Sequence, residues 1–497
     1  MAGKIAIIGG GIGGLSAGCY ARMNSYETDI YEMHNLPGGL CTAWQRKGYT
    51  FDGCIHWLVG SKPDTAMHEV WRSLGALTEQ PLHHHEEFVR ITGADGRTVI
   101  QYTDLDRLEQ HLLELSPVDE KMIRELIKGA RALVKLEMPV GKPQELFGSL
   151  DGLKMIWQMR SFMKVIMKYG KISNGEFSAR FKDPLIRDML TAVIEPRYNM
   201  IAILATMGSL AARDAGWPQG GSLAFARRIE KRYLELGGRI HYNSRVTRIM
   251  VEDNRAVGLE LADGQQVRVD AVISAADGYT TLYKLLGGQY VPKKLAKYYS
   301  GDYPTLTSVL VFMGVDHDFS STPHNISFPL DPPLEMGGHL HRQIGFKNYS
   351  FDPSLSPPGK SVVSAVFYAD YEYWEELAQD REQYKAEKAR IAQRVVEELE
   401  RRFPEATGKV EVTDVATPLT FTRYTGVWKG AYMSWISTPQ SGNIIIPKRL
   451  PRLKDFYMAG LWTQGSAGLP GAAVTGRYAV QVMCAADKQP FIEFAPS

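Results

Sequence analysis

Three glycines near the start of the chain, Gly9, Gly11 and Gly14, have the spacing G-x-G-x-x-G, and an acid, Glu32, follows them. These residue types suit the grip of a dinucleotide. A pyrophosphate must approach the backbone closely, and a side chain at Gly9 or Gly11 would stand in its way. The backbone through Ile12, Gly13 and Gly14 then offers free N–H groups and the positive end of a helix dipole. A carboxylate at Glu32 can accept hydrogen bonds from ribose hydroxyls, and it would repel a ribose carrying a 2′-phosphate. The positioning elements are legible around these residues. Ile5, Ile7 and Ile8 make a short apolar strand, Leu15 to Arg22 open a helix, and Thr28 to Tyr31 form a second strand ending at the acid. The plainer alternative is a tight turn before a helix, and strand, helix and acid in register weigh against it.

Composition bounds the rest. With 497 residues and 44% apolar content the chain can bury a large core, and its length suggests two or three domains. Lys plus Arg number 57 against 55 for Asp plus Glu, so no global field draws it to nucleic acid, and none is expected as a partner. Cys19, Cys41, Cys54 and Cys484 lie far apart without a C-x-x-C pair, which indicates neither a disulfide framework nor a zinc site. The first strand begins almost at the N-terminus and no run of 18 apolar residues occurs. The expectation is a cytoplasmic protein without signal peptide or membrane span.

After Glu32 the run Leu36-Pro37-Gly38-Gly39-Leu40-Cys41-Thr42 leads through Gly48 to Phe51-Asp52-Gly53-Cys54-Ile55-His56-Trp57. The Pro-Gly-Gly turn lets the backbone pass close to a bound group, and Tyr49 to Trp57 alternates as a strand would. This stretch resembles the second signature of FAD enzymes of the phytoene desaturase group, particularly its retinol saturase and carotenoid isomerase branch. The resemblance implies that Gly38, Gly39 and Thr42 lie beside the flavin pyrophosphate and ribityl chain, with Leu40 where many members carry Arg. It also implies that Val246, in Ser244-Arg245-Val246-Thr247-Arg248-Ile249, contacts the adenine through its backbone. Phe456 to Ala473 resembles the group's last signature, including Gly460, Gly468, Pro470 and Ala472. Pro470 suits the first turn of a helix reaching about Ala486, whose N-terminus would stabilise electron density at N1 and C2=O of a reduced flavin. Amine oxidases of the wider superfamily generally carry an acid after the Ala-Gly pair, where this chain has Leu461.

Between these signatures the reading is coarser. Helix-like runs occupy Thr65 to Leu77, Asp104 to Leu115 and Asp119 to Val134, around a two-stranded ribbon of Phe88 to Ile91 and Thr98 to Tyr102 turning at Asp95-Gly96. His83, His84 and His85 are adjacent and cannot all face one metal from a regular element. A solvated loop is therefore expected, with a metal site as the alternative and no metal ligands assigned. Residues 153 to 171 hold five cations, no acid and large apolar side chains at mostly helical spacing. Such a segment can lie on an anionic membrane surface, and the alternative is a helix packed on the domain with its lysines in water. Val257 to Leu261 and Val267 to Ile273 read as a hairpin, and no second G-x-G-x-x-G follows a strand, so a built-in NAD(P)H domain is not expected. Thr305 to Phe312 and Ser361 to Tyr368 read as strands, and Tyr371 to Arg402 as one long charged helix. Tyr424 and Tyr432 fall in a stretch that the resemblance places near the flavin ring.

The fold expected is α/β: a Rossmann-like FAD-binding domain assembled from residues 1–75, 216–285 and 441–497, with an inserted α+β substrate domain from 76–215 and 286–440. By resemblance the chain is an FAD-dependent oxidoreductase acting on carbon-carbon double bonds of a lipophilic polyene or isoprenoid, by saturation, desaturation or isomerisation. FAD would be held non-covalently, NAD(P)H is an external reductant to consider, and His56 and Tyr424 are the candidate proton-transfer groups. The alternatives are an FAD-dependent amine oxidase and a flavin-free prenyl carrier of the same fold.

Overall fold

Ile5, Ile7, Ile30 and Ile273 are fully buried, as central strands of a sheet covered on both faces require. In the computed structural model, which describes residues 3–77 and 81–494 apart from the side chains at 153–156, 158 and 161, they belong to a five-stranded parallel sheet. Its strands run Arg239–His241, Glu27–Tyr31, Lys4–Ile8, Ala271–Ser274 and Phe456–Met458 in spatial order. The register pairs Ile8 with Tyr31 and with Ser274. Strands drawn from three distant parts of the sequence thus build one sheet, as a Rossmann-like domain assembled from separated segments demands.

Three helices pack on this sheet. The opening helix Ile12–Met23 lies against Gly468–Ala486, and Gly221–Glu235 packs on the other side of the opening helix. Small residues permit the first contact: a Cβ on Gly476 would run into the backbone of Gly13 and Ala17. A three-stranded antiparallel sheet, Val246–Glu252, Arg255–Leu261 and Gln266–Arg268, sits alongside. The run expected as one strand from Val267 to Ile273 is split after Arg268, and its second half joins the parallel sheet.

The inserted part has a seven-stranded sheet in the order Val410–Ala416, Ser308–Val315, Ser361–Tyr368, His339–Asn348, Asn325–Met336, Glu87–Thr92, Thr98–Tyr102. The ribbon around Asp95-Gly96 thereby joins the two inserted segments. The helical run from Tyr371 is two helices, Tyr371–Leu377 and Arg381–Arg402, because the Asp380 carboxylate caps the second by accepting from the Glu382 and Gln383 N–H groups. The strand expected from Tyr49 to Trp57 stops at Asp52, freeing residues 53–57 as a loop. Among the described residues, no helix is long and apolar enough to cross a membrane.

Candidate functional site

The three glycine signatures meet at one place. Gly11 and Gly38 form an isolated parallel bridge, and the Gly38 N–H donates to the Gly10 carbonyl at 2.8 Å. A Cβ on Gly13 would come within 2.9 Å of Gly460 Cα and 3.3 Å of the Ala472 carbonyl oxygen. Gly9 has φ +95°, a conformation that side chains rarely adopt. Gly11 differs from its neighbours. Its φ is an ordinary −69°, and a Cβ there would meet only Gly38 O at 3.8 Å and Gly39 Cα at 3.9 Å. Protein packing therefore does not require glycine at 11, whereas a closely approaching ligand does. The opening helix and the helix Gly468–Ala486 both start without a side-chain cap, leaving their first N–H groups to an anion. Ile12 buries its side chain in the core, so only its backbone is available.

Glu32 is buried, and its carboxylate accepts from Gly10 N at 2.6 Å and His34 N at 2.7 Å. Each oxygen keeps a further lone pair for a ribose hydroxyl. Burial raises its pKa, against the pull of those backbone bonds. Ser244 N donates to Glu32 O at 2.8 Å, which brings the segment leading to Val246 beside the acid. Pro470 is buried in the first turn of its helix, and Gly468 opens that helix at φ +58°. Leu40 and Thr42 follow the glycine pair in a tight turn, with the Thr42 N–H donating to the Leu40 carbonyl. These groups fit a dinucleotide: an open glycine cradle, two uncapped helix starts and a carboxylate with lone pairs to spare.

A second group of residues adjoins the cradle. Asp52 accepts from Ser222 N at 2.5 Å, Ser222 Oγ at 2.6 Å and Cys54 N at 3.1 Å, and Ser222 Oγ accepts from Ile55 N. Cys41 Sγ donates to the Ser222 carbonyl, so one serine ties the glycine-pair loop to the loop that carries His56. His56 keeps accessible surface although protein surrounds it. Its Nδ1 lies 3.2 Å from Lys347 Nζ. Burial, and then the Lys347 charge, push the His56 pKa down to about 3, so the ring is neutral. Burial pushes Lys347 down to about 8, partly opposed by the Asp52 carboxylate. The ammonium lies 5.2 Å from the Trp217 ring centre and 5.0 Å from that of Tyr349.

His83, His84 and His85 are not a solvated loop. Leu82–His83 pairs with Ala215–Pro218, and the His85 ring stacks on His324 at 3.4 Å and 7°. Stacked rings cannot aim their in-plane lone pairs at one ion, and among the described residues no group of ligands could hold a metal. A narrow cavity of about 20 Å³ lies between His56, Trp57, His84, His85, Arg213 and Trp217, enough for one water.

The two tyrosines part company. Tyr424 is 44% exposed and meets His34 edge-on at 5.0 Å, which sets it beside the Glu32 end of the site rather than beside His56. Tyr432 packs with Tyr198, Tyr368, Leu306 and Ile436, and Tyr198 hydrogen-bonds Ser466 of the last glycine loop. Lys347 carries no motif and was invisible in sequence. It becomes notable only when the strand His339–Asn348 delivers it to His56.

The model of the flavin-containing amine oxidoreductase family matches residues 12–484. Over 500 residues the chain is 25% identical to the lycopene-forming phytoene desaturase of Pseudescherichia vulneris, covering 97% of this chain and 99% of the relative. It is 23% identical to the chloroplastic prolycopene isomerase of Arabidopsis thaliana, covering 96% and 81%. Among solved structures, cyclohexylamine oxidase from Brevibacterium oxydans IH-35A superposes with a TM-score of 0.60 at 14% identity, covering 98% and 100%, a likeness of fold alone.

Proposed function

The chain belongs to the flavin-containing amine oxidoreductase family, and on that premise we propose that it is an FAD-dependent oxidoreductase acting on carbon-carbon double bonds of a lipophilic polyene. The observation that carries this reading is likeness along nearly the whole chain to a phytoene desaturase and a prolycopene isomerase. Cyclohexylamine oxidase is matched in fold only, and Leu461 stands where amine oxidases generally have an acid.

FAD would be held by Gly9, Gly11, Gly13, Gly14, Glu32, Gly38 and Gly39 at its nucleotide half, and by Gly460, Gly468 and Ala472 at the ring half. When bound it supplies hydride transfer at N5. The protein's own residues do the remainder. Glu32 orients the ribose, the two helix starts hold negative charge, and the Asp52–Ser222 contact fixes the His56 loop. Lys347 holds a proton at Nζ close to neutral pH, and the neutral His56 Nδ1 accepts a hydrogen bond from it and fixes its position. Tyr368 and Tyr432, partly buried and backed by Leu306 and Ile436, offer an aromatic wall to the substrate.

The substrate is collected from a bilayer by the helix Asp151–Tyr169, where Trp157 is 64% and Met167 72% exposed and Arg160 stacks 3.9 Å over the Trp157 ring. Lys168 is partly engaged by Glu125 at 2.9 Å, so Arg160 and Lys164 carry the attraction. The Lys154 side chain lies outside the described residues. NAD(P)H as external reductant belongs to the same proposal and calls for a separate reductive titration.

The reading is tested by following flavin absorbance after mixing photoreduced enzyme, without oxygen, with polyenes, and oxidised enzyme with amines. Reoxidation or spectral perturbation by polyenes, with no reduction by amines, is expected. Bleaching of the oxidised flavin by amines with peroxide release on aeration would replace the proposal by amine oxidation.

A further inference from the structure

Cys41 and Cys54 are brought face to face. The strands Ala43–Arg46 and Tyr49–Asp52 match Ala43 with Asp52, and the Gly53 N–H donates to the Thr42 carbonyl at 3.1 Å. Cys41 and Cys54 are the next residues out from that bond, and their thiols lie close enough to act on each other. Both thiols are free, Cys41 buried and Cys54 partly exposed. The pair sits between two working loops: Cys41 directly follows the Gly38-Gly39 turn, and Cys54 precedes His56 by one residue, Ile55.

We propose that Cys41 and Cys54 form an oxidative modification site, in which hydrogen peroxide oxidises Cys54 and Cys41 then closes a disulfide. In the first step the Cys54 sulfur attacks one peroxide oxygen. An S–O bond forms, the O–O bond breaks, water leaves, and Cys54 becomes a sulfenic acid. In the second step the Cys41 sulfur attacks the Cys54 sulfur. The S–S bond forms, the S–O bond breaks, and hydroxide departs with the Cys41 proton as water. Two thiols lose two electrons and one peroxide becomes two waters.

Burial divides the roles. It shields Cys41 from peroxide, whereas the partly exposed Cys54 meets the oxidant first, and Cys41 then acts on the sulfenic acid formed beside it. The cross-link would add a covalent tie between the flavin-gripping turn and the His56 loop, two segments now held together by Ser222 and by the Gly53 N–H to Thr42 carbonyl bond.

Peptide mapping of the flavin-loaded protein tests this. After a small excess of hydrogen peroxide, alkylation and digestion without reductant, cleavage at Arg46 and Lys47 separates the two cysteines unless they are bonded. The expected result is a joined Cys41–Cys54 peptide, two hydrogens lighter than its parts, which disappears with dithiothreitol and is absent from Cys54→Ser. In Cys41→Ser, dimedone should label Cys54. Wild-type protein in which Cys54 proceeds to sulfinic acid while Cys41 remains alkylatable, or in which both remain alkylatable, would overturn the proposal whether or not the variants fold.

Discussion

Lys347 Nζ lies 3.2 Å from Nδ1 of His56, although one residue comes from a strand of the inserted sheet and the other from the loop beyond the Pro-Gly-Gly turn. A buried amine held near neutral pH beside a neutral imidazole is a proton store. Its ammonium form prevails below pH 8 and is lost above it. The rate of a step that takes this proton should therefore fall as pH rises through about 8, and Lys347→Met should abolish that limb while leaving flavin affinity unchanged. A pH profile of single turnover checks both points.

The same group makes a stability prediction. The folded pKa of Lys347, about 8, is below the ordinary value of 10.5. Between these values the unfolded chain binds more protons, so stability rises with pH across that window, while below pH 8 the full burial cost is present. The gain approaches about 3 kcal/mol. Lys448, also pushed to about 8 by burial, gives a parallel rise. Denaturant unfolding at pH 7 and pH 10 should show Lys347→Met with a shallower increase than wild type. Equal increases would mean that Lys347 is not buried as an amine.

Gly11 and Gly14 separate cofactor binding from folding. A Cβ on Gly14 would fall on the Gly9 carbonyl, whereas one on Gly11 meets nothing closer than 3.8 Å. Gly11→Ala should keep the melting temperature of the apoprotein and lose FAD. Gly14→Ala should lose the fold. Thermal melts with and without FAD distinguish the two outcomes.

Much of this cradle was legible in sequence because a dinucleotide imposes glycines at fixed offsets from a strand, a helix and an acid. The parallel sheet was legible for the same reason, since Ile5, Ile7, Ile8 and Ile30 are apolar and bounded by turn residues. Side chains that meet only through tertiary packing left no local trace. Lys347 looks like any strand lysine, and no local pattern shows that Tyr424 meets His34. The three adjacent histidines read as a polar loop because sequence cannot show that His83 stacks on Phe351 and His85 on His324. The break in the helix at Asp380 was a missed cap of a familiar type.

Glu32→Ala should weaken FAD by about tenfold to a hundredfold, since each charge-assisted ribose bond is worth roughly 1.5–3 kcal/mol. Equilibrium dialysis of flavin measures it. Unchanged affinity would remove Glu32 from the ribose.

Membrane capture by the helix Asp151–Tyr169 should show in vesicle sedimentation as binding to anionic liposomes that high salt weakens, each cation contributing on the order of 1 kcal/mol. Trp157→Ser with Arg160→Glu and Lys164→Glu should lose it. Binding by the variant equal to wild type would assign the contact elsewhere.

The most direct test of the account is the mass of the product when photoreduced, flavin-loaded enzyme is incubated without oxygen with a panel of polyenes and isoprenoids, alongside the oxidised enzyme with an electron acceptor. The account predicts a changed polyene: two hydrogens gained on saturation, two lost on desaturation, or unchanged mass with altered retention on isomerisation. Polyenes recovered unchanged under both conditions, together with amines converted to carbonyl products, would contradict it.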